Sequence, residues 1–293
     1  MQKVLRGIFA PICTPFDEKG CIQSDHLAQN VIKYSKTGLS GFLVLGSNGE
    51  NKSLSLHEKE QVLKIILTHK APEQSVMTGS IFESTGETIE FALMAQELGT
   101  NFITLLPPSY FKDAMKDHVL LKYFTDVASS LNIPCLLYKA PQFSGGLDLS
   151  LNLIKDCINH PNIAGIKDSS SSGIEKILNI SPENFAVLSG SANTFFTAMI
   201  SGAWGGVLSA ANYLPEAVVE LYKFIETDNL QNAVKLNRQL VSGNLAISGT
   251  YGVAGVKYAM DQCGFFGGLP RLPLLPIPAE GKTRINEFLK SFF

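Results

Sequence analysis

Short apolar runs alternate with stretches of helical period along most of this chain, and no other feature constrains the fold as tightly. Strand-like runs are expected at Gly7–Thr14, Gly41–Leu45, Ser75–Thr78, Phe102–Leu106, Cys135–Tyr138, Ile163–Lys167, Ala186–Ser189 and Gly206–Ser209. Helical patterns follow each in turn. They are a first from Ser24, which can cap it, to about Gly38, then Leu56–Lys70, Thr85–Leu98, Asp113–Ser130, Leu149–Asn159, Gly173–Ile180, Thr194–Gly202 and Pro215–Thr227. Repeated strand–helix units imply a parallel sheet with right-handed crossovers. Eight of them in about 230 residues predict an α/β protein with a closed (β/α)8 TIM barrel. An open doubly wound sheet is the alternative, but no G-x-G-x-x-G follows the first strand. Leu230–Ala246, Val253–Cys263 and Gly281–Phe293 read as further helices, with a loop at Gly267–Pro273. The expected division is a barrel over residues 1–228 and a C-terminal helical extension over 229–293 packed on it. That tail is short for a separate domain and its apolar faces need a surface.

Composition removes several function classes. The 293 residues are 45% hydrophobic and carry a net charge of −2 with no basic block, which argues against a nucleic-acid surface. The longest apolar stretches are strand-length, so no membrane span is expected. Met1–Arg6 runs directly into the first strand without a leader pattern, and the expected compartment is the cytoplasm. Five cysteines without C-x-x-C and five scattered histidines without H-x-x-x-H or H-x-H give a zinc or disulfide framework little support. No metal and no cofactor is expected.

In a barrel, chemistry sits at the C-terminal ends of the strands. That rule selects Ser47 and Asn48 after the second strand, Tyr110 after the fourth, Tyr138 at the end of the fifth and Lys167 at the end of the sixth. Ser169 lies just beyond Lys167, Gly190 follows the seventh strand and Leu208 stands at the eighth. Each has an ordinary structural reading: a lysine that points into water, a core tyrosine, a loop aromatic, turn formers. Together they make a set with an amine nucleophile, two phenols and several hydroxyls, and with no carboxylate pair. A buried ammonium is costly without a partner, and an uncharged amine attacks carbonyl carbon. A Schiff-base site is the natural chemical reading of the set.

Three motifs carry a resemblance over nearly the whole chain: Gly46-Ser47-Asn48-Gly49-Glu50, Tyr138-Lys139-Ala140-Pro141 and Gly165-Ile166-Lys167-Asp168-Ser169. They are similar to the G-[ST]-x-G-E, Y-N-x-P and G-x-K-[DE]-S motifs of the dihydrodipicolinate synthase/N-acetylneuraminate lyase family of class I, pyruvate-dependent aldolases. The resemblance implies a TIM barrel, a Schiff-base lysine at Lys167 and a proton-shuttling tyrosine at Tyr138. It also implies a homotetramer built as a dimer of dimers, in which Tyr110 reaches a neighbour's site. Within the family, Ser47-Asn48, Ser169 and the stretch from Tyr251 to Gly268 most resemble 4-hydroxy-2-oxoglutarate aldolases. Phe143 stands where dihydrodipicolinate synthases carry an arginine for the second substrate's carboxylate. Ser191-Ala192-Asn193 stands where sialic acid lyases carry an Asp-Glu pair. Lys139 replaces the usual asparagine.

The implied reaction is a Schiff-base aldolase or lyase step that joins pyruvate to a small aldehyde or 2-oxo acid, or cleaves the product. The expected substrate is 4-hydroxy-2-oxoglutarate, giving pyruvate and glyoxylate. A 2-keto-3-deoxy sugar acid aldolase, a dihydrodipicolinate synthase and an N-acetylneuraminate lyase are the alternatives. A non-catalytic 2-oxo-acid-binding barrel is the alternative of another class. The expected catalytic set is Lys167, Tyr138, Tyr110 and Ser47, with Ser47, Asn48, Ser169, Gly190 and Leu208 binding substrate.

Overall fold

The computed structural model describes residues 5–171 and 173–292. The first four residues, Ser172 in the polar run after Lys167, and Phe293 at the expected end of the last helix lie outside them. Eight strands form the wall: β1 Gly7–Pro11, β2 Gly41–Val44, β3 Ser75–Ser80, β4 Phe102–Leu105, β5 Cys135–Lys139, β6 Ile163–Asp168, β7 Ala186–Ser189 and β8 Gly205–Val207. Each pairs in parallel with the next, and β8 closes on β1. The eight helices between and after them are α1 Ser24–Tyr34, α2 Leu56–His69, α3 Thr85–Glu97, α4 Asp117–Ser129, α5 Leu151–Ile158, α6 Ile174–Ile180, α7 Ala192–Ile200 and α8 Pro215–Glu226. The architecture is the (β/α)8 TIM barrel that the alternation predicts. Ser24 opens α1 without a capping bond; its hydroxyl instead accepts from Gln61 Nε2 at 2.9 Å.

Two apolar clusters follow from the strand period of two. Phe9, Leu43, Met77, Phe102, Leu136 and Leu188 form one, inside the barrel. Their neighbours Ile8, Ala10, Phe42, Val44, Ile103 and Val187 join the other, between the wall and the helices. The helices complete that outer layer: in α5, Leu153, Ile154 and Cys157 are buried, each large apolar side chain stabilising by about 1.5–3 kcal/mol.

The alternation breaks once, at β6. Cys135 pairs with Ile163, but the next residue, Leu136, pairs with Gly165, so Ala164 is an extra residue. The bulge reverses which side chains face inward for the rest of the strand. It brings Lys167 opposite Tyr138 and Asp168 opposite Lys139. Without it, Lys167 would point at the helices.

Three more helices follow the barrel: α9 Leu230–Asn244, α10 Thr250–Gln262 and α11 Ala279–Lys290. α9 packs against α7 and α8, and α11 against α9 and α10. A single π-helical turn at Leu245–Gly249 joins α9 to α10, and Gly252 breaks the start of α10 with a φ of 56°. Among the described residues, no helix is long and apolar enough to cross a membrane.

Candidate active site

A cavity of about 1050 Å³ opens at the C-terminal ends of the strands. Lys167 lies within its wall, 4% exposed, with its Nζ 4.1 Å from the centre of the Tyr138 ring. Tyr138 Oη is 3.4 Å from Ser47 Oγ. A primary amine, a phenol and a hydroxyl therefore meet at the ends of β6 and β5 and in the turn after β2.

That turn is built tightly. Leu45 and Glu50, at its two ends, both adopt left-handed backbone, with φ of 58° and 53°, a conformation that side chains seldom take outside sites held by their surroundings. Inside it, Gly49 N–H donates to Gly46 C=O and Glu50 N–H to Ser47 C=O. Among the described residues, the N–H groups of Ser47 and Asn48 donate to no protein acceptor. Two adjacent free N–H groups in a turn form a concave seat for an anion. Asn48 Nδ2 donates to Ser209 Oγ at 2.9 Å, which ties the turn to the end of β8.

Glu50 anchors the turn from behind. Its carboxylate lies 2.5 Å from Lys257 Nζ of α10, with both side chains buried, and accepts the backbone N–H of Arg271 at 2.8 Å. Burial pushes Lys257 below the ordinary lysine range, although Glu50 counters part of that. Arg271 also grips Glu58 of α2 through both terminal nitrogens, at 2.9 and 2.6 Å. Hydrogen bonding to Arg271 lowers the Glu58 carboxyl to about 2.

Ser169 and Gly190 line the cavity side by side. A Cβ on Gly190 would fall 1.9 Å from Ser169 Oγ, so only glycine leaves room for that hydroxyl. Two expected residues lie elsewhere. Leu208 is buried in the outer apolar cluster and its N–H donates to Phe9 C=O. Its neighbours Val207 and Ser209 face the cavity in its place, as the period of two requires. Tyr110 does not line the cavity either. It is 80% exposed, edge-on to Phe111, with its N–H donating to Glu83 at 2.9 Å.

The structure adds residues that the sequence did not bring forward. Thr194, Asn244 and Ser248 line the far side of the cavity, beside Asn193 and Val253 from stretches already singled out. Asn244 Nδ2 donates to Asn193 Oδ1 at 3.1 Å, joining α9 to α7. The π-helical turn and the break at Gly252 deliver Ser248 and Val253 to the cavity wall; such turns often occur at sites. Charges in this wall are mostly matched: Glu50 with Lys257, Lys52 with Glu83 at 3.3 Å, and Lys139 with Asp148 at 2.9 Å. Among the described residues, no group of three or more His, Cys, Asp or Glu side chains is placed to hold a metal ion.

The profile of the dihydrodipicolinate synthetase family matches residues 4–292. The 4-hydroxy-tetrahydrodipicolinate synthase of Methanothrix thermoacetophila is 31% identical over 98% of this chain and 96% of its own. A probable mitochondrial 4-hydroxy-2-oxoglutarate aldolase of Emericella nidulans is 28% identical over 98% and 94%. Among solved structures, a prophage protein of the dihydrodipicolinic acid synthase family from E. coli K12, in complex with pyruvate, superposes with a TM-score of 0.90 at 26% identity, covering 98% of each chain.

Proposed function

This chain belongs to the dihydrodipicolinate synthetase family of class I aldolases and synthases, and from that premise we propose that it makes or cleaves a carbon–carbon bond at C3 of pyruvate through an imine on Lys167. The observation that carries the reading is the meeting of Lys167 Nζ, the Tyr138 ring and Ser47 Oγ at the strand ends, inside one cavity. The Lys167 amine attacks the ketone carbon of a 2-oxo acid and water leaves. The resulting cationic imine accepts the electron pair released as the C3–C4 bond breaks. Tyr138 Oη takes the proton of the C4 hydroxyl, and an aldehyde departs. Protonation of the enamine and hydrolysis then free pyruvate and restore the amine. Ser47 Oγ is close enough to relay the proton. The free N–H groups of Ser47 and Asn48 suit the substrate carboxylate, and Ser169 and Gly190 position the part beyond C4.

The proposed substrate is 4-hydroxy-2-oxoglutarate, released as pyruvate and glyoxylate. The name of the Emericella relative supports it, and Phe143, half exposed in the cavity wall, offers no cation for the larger second substrate of a synthase. One observation favours a second reading, a 2-oxo-3-deoxy sugar acid: Asn193, Thr194, Asn244 and Ser248 give the far wall uncharged hydrogen-bonding groups. The proposed assembly is a homotetramer, with Tyr110 serving a neighbour's site.

Reductive trapping tests the reading. Pyruvate with borohydride is expected to add a three-carbon unit to Lys167, located by peptide mass. A folded sample without that adduct would overturn the Schiff-base assignment and leave a binding barrel. A panel of glyoxylate, glyceraldehyde and longer aldoses then ranks the acceptors: preference for glyoxylate supports the first substrate, preference for an aldose the second.

A further inference from the structure

We propose that Lys257 of α10 is a positioning residue for the substrate carboxylate, acting through Glu50 on the turn that presents the N–H groups of Ser47 and Asn48. The inference rests on the reading of those two N–H groups as the carboxylate's seat. Each belongs to a planar peptide unit whose other end is a carbonyl. The Ser47 N–H shares its plane with Gly46 C=O, and the Asn48 N–H shares its plane with Ser47 C=O. Those two carbonyls accept the turn's own bonds, from Gly49 N–H and Glu50 N–H, both at 3.1 Å. The aim of the seat is therefore set by where the backbone of Gly49 and Glu50 is held.

Gly49 is held locally, since Thr14 Oγ1 donates to its carbonyl at 2.9 Å. Glu50 is held from a distance. Its backbone is left-handed, with φ of 53° and ψ of 42°, which a residue with a side chain keeps only where its surroundings enforce it. The enforcing contacts are those of its carboxylate: Lys257 Nζ at 2.5 Å and the Arg271 N–H at 2.8 Å. Lys257 is itself fixed, donating to Leu269 C=O at 2.8 Å and lying 4.4 Å above the centre of the Phe16 ring. The two side chains of the pair are 1% and 2% exposed, so water does not stand in for either. Arg271 offers Glu50 only a main-chain N–H, while its guanidinium is used on Glu58. Lys257 is thus the side chain on which the Glu50 anchor depends.

Without the ammonium, the Glu50 carboxylate is a buried charge with one remaining donor, beside a cavity whose wall it already lines. Turning towards that cavity relieves it, and lets Glu50 leave the left-handed region. The bond from Glu50 N–H to Ser47 C=O goes with it, and the Asn48 N–H swings away from its partner. The loss falls on ketones that carry a carboxylate and not on the attack of Lys167 on the carbonyl carbon.

The experiment is cyanoborohydride trapping on the full chain, with pyruvate and with hydroxyacetone, a ketone of similar size that has a hydroxymethyl group in place of the carboxylate. In Lys257→Met the half-saturating pyruvate concentration is expected to rise roughly 10–100-fold, the worth of one hydrogen bond to a charged group. The maximal rate with pyruvate, and the rate with dilute hydroxyacetone, should each stay within about twofold, the mark of lost binding and intact chemistry. Hydroxyacetone trapping that falls by the same factor as pyruvate trapping overturns the proposal, because a general loosening does not discriminate between them. An unchanged pyruvate curve overturns it too. Lys257→Met leaves a buried carboxylate without its cation and can fail to fold. The double variant Glu50→Gln, Lys257→Met removes both charges and keeps an acceptor for the Arg271 N–H. It is expected to melt near the wild type and still to show the loss with pyruvate alone; a wild-type pyruvate curve in it overturns the proposal. A wild type that forms no adduct fails the Schiff-base reading, and one that traps both ketones equally well fails the carboxylate seat.

Discussion

Tyr138 is held by β5 with its ring against Lys167 and its hydroxyl near Ser47, so its two expected contributions can be separated. In the proposed mechanism the ring helps place the amine and the hydroxyl carries the proton. Tyr138→Phe keeps the first and loses the second. It is expected to form the borohydride-trapped adduct at near the wild-type rate while cleavage falls by about 10²–10⁴-fold, the usual worth of a positioned acid–base group. Equal loss of both rates would mean that the phenol serves imine formation as well. Lys167→Ala should lose the adduct altogether while keeping the wild-type thermal transition. The residue types at this site were legible in the sequence, because strand ends and motif spacing mark them. Their phase was less so. The extra residue Ala164 reverses inside and outside in β6, and a run of Ile, Ala, Gly and Ile gives no sign of a bulge. Leu208 shows the same limit from the other side: a one-residue step moved the site to Val207 and Ser209.

Among the elements, the strands and most helices were read from apolar period because the barrel repeats one unit. The far wall of the cavity was not, because Asn244 and Ser248 reach it through a π-helical turn and a glycine break that depend on packing across the molecule. The tie between α2, the Ser47 turn and the chain after α10 is also long-range, and its charges give it a measurable signature. In the folded protein the Glu58 carboxyl sits at about 2, below its value in an unfolded chain. A depressed acid contributes stability that is fully present above the unfolded value, near ~4.3, and is lost as pH falls through the folded value. Arg271→Met is therefore expected to unfold more easily than the wild type near neutrality, by roughly 1–3 kcal/mol for a partly buried bidentate pair. The gap should narrow between about pH 4 and pH 2. A gap in melting temperature that is independent of pH across that range would show that packing on Phe16, over which the guanidinium also lies at 4.3 Å, dominates.

At the scale of the whole molecule, one chain holds the amine, the phenol and the turn in a common cavity but leaves Tyr110 and Phe111 exposed at 80% and 70%. Two large aromatics displayed together mark a surface that gains by association. If Tyr110 serves a neighbouring copy, Lys167→Ala and Tyr110→Ala chains, each defective alone, should regain part of the activity when unfolded and refolded together, since mixed assemblies contain some intact sites. No recovery in assemblies shown by mass to be mixed would confine the site to a single chain.

The anchoring of Glu50 by Lys257 and Arg271 has a consequence for how the protein is made. Gly46–Glu50 leaves the ribosome some two hundred residues before its anchors, because chains are synthesised from the N-terminus and domains fold as units as they emerge. The nascent barrel can carry Lys167, Tyr138 and the Asn48–Ser209 bond early, whereas the Glu50 side of the turn gains its anchors only when Lys257 and Arg271 arrive. A chain stopped before Lys257 would lack both anchors of the turn that we propose seats the substrate carboxylate, so the proposed selectivity would arise only once residues 257–271 are in place.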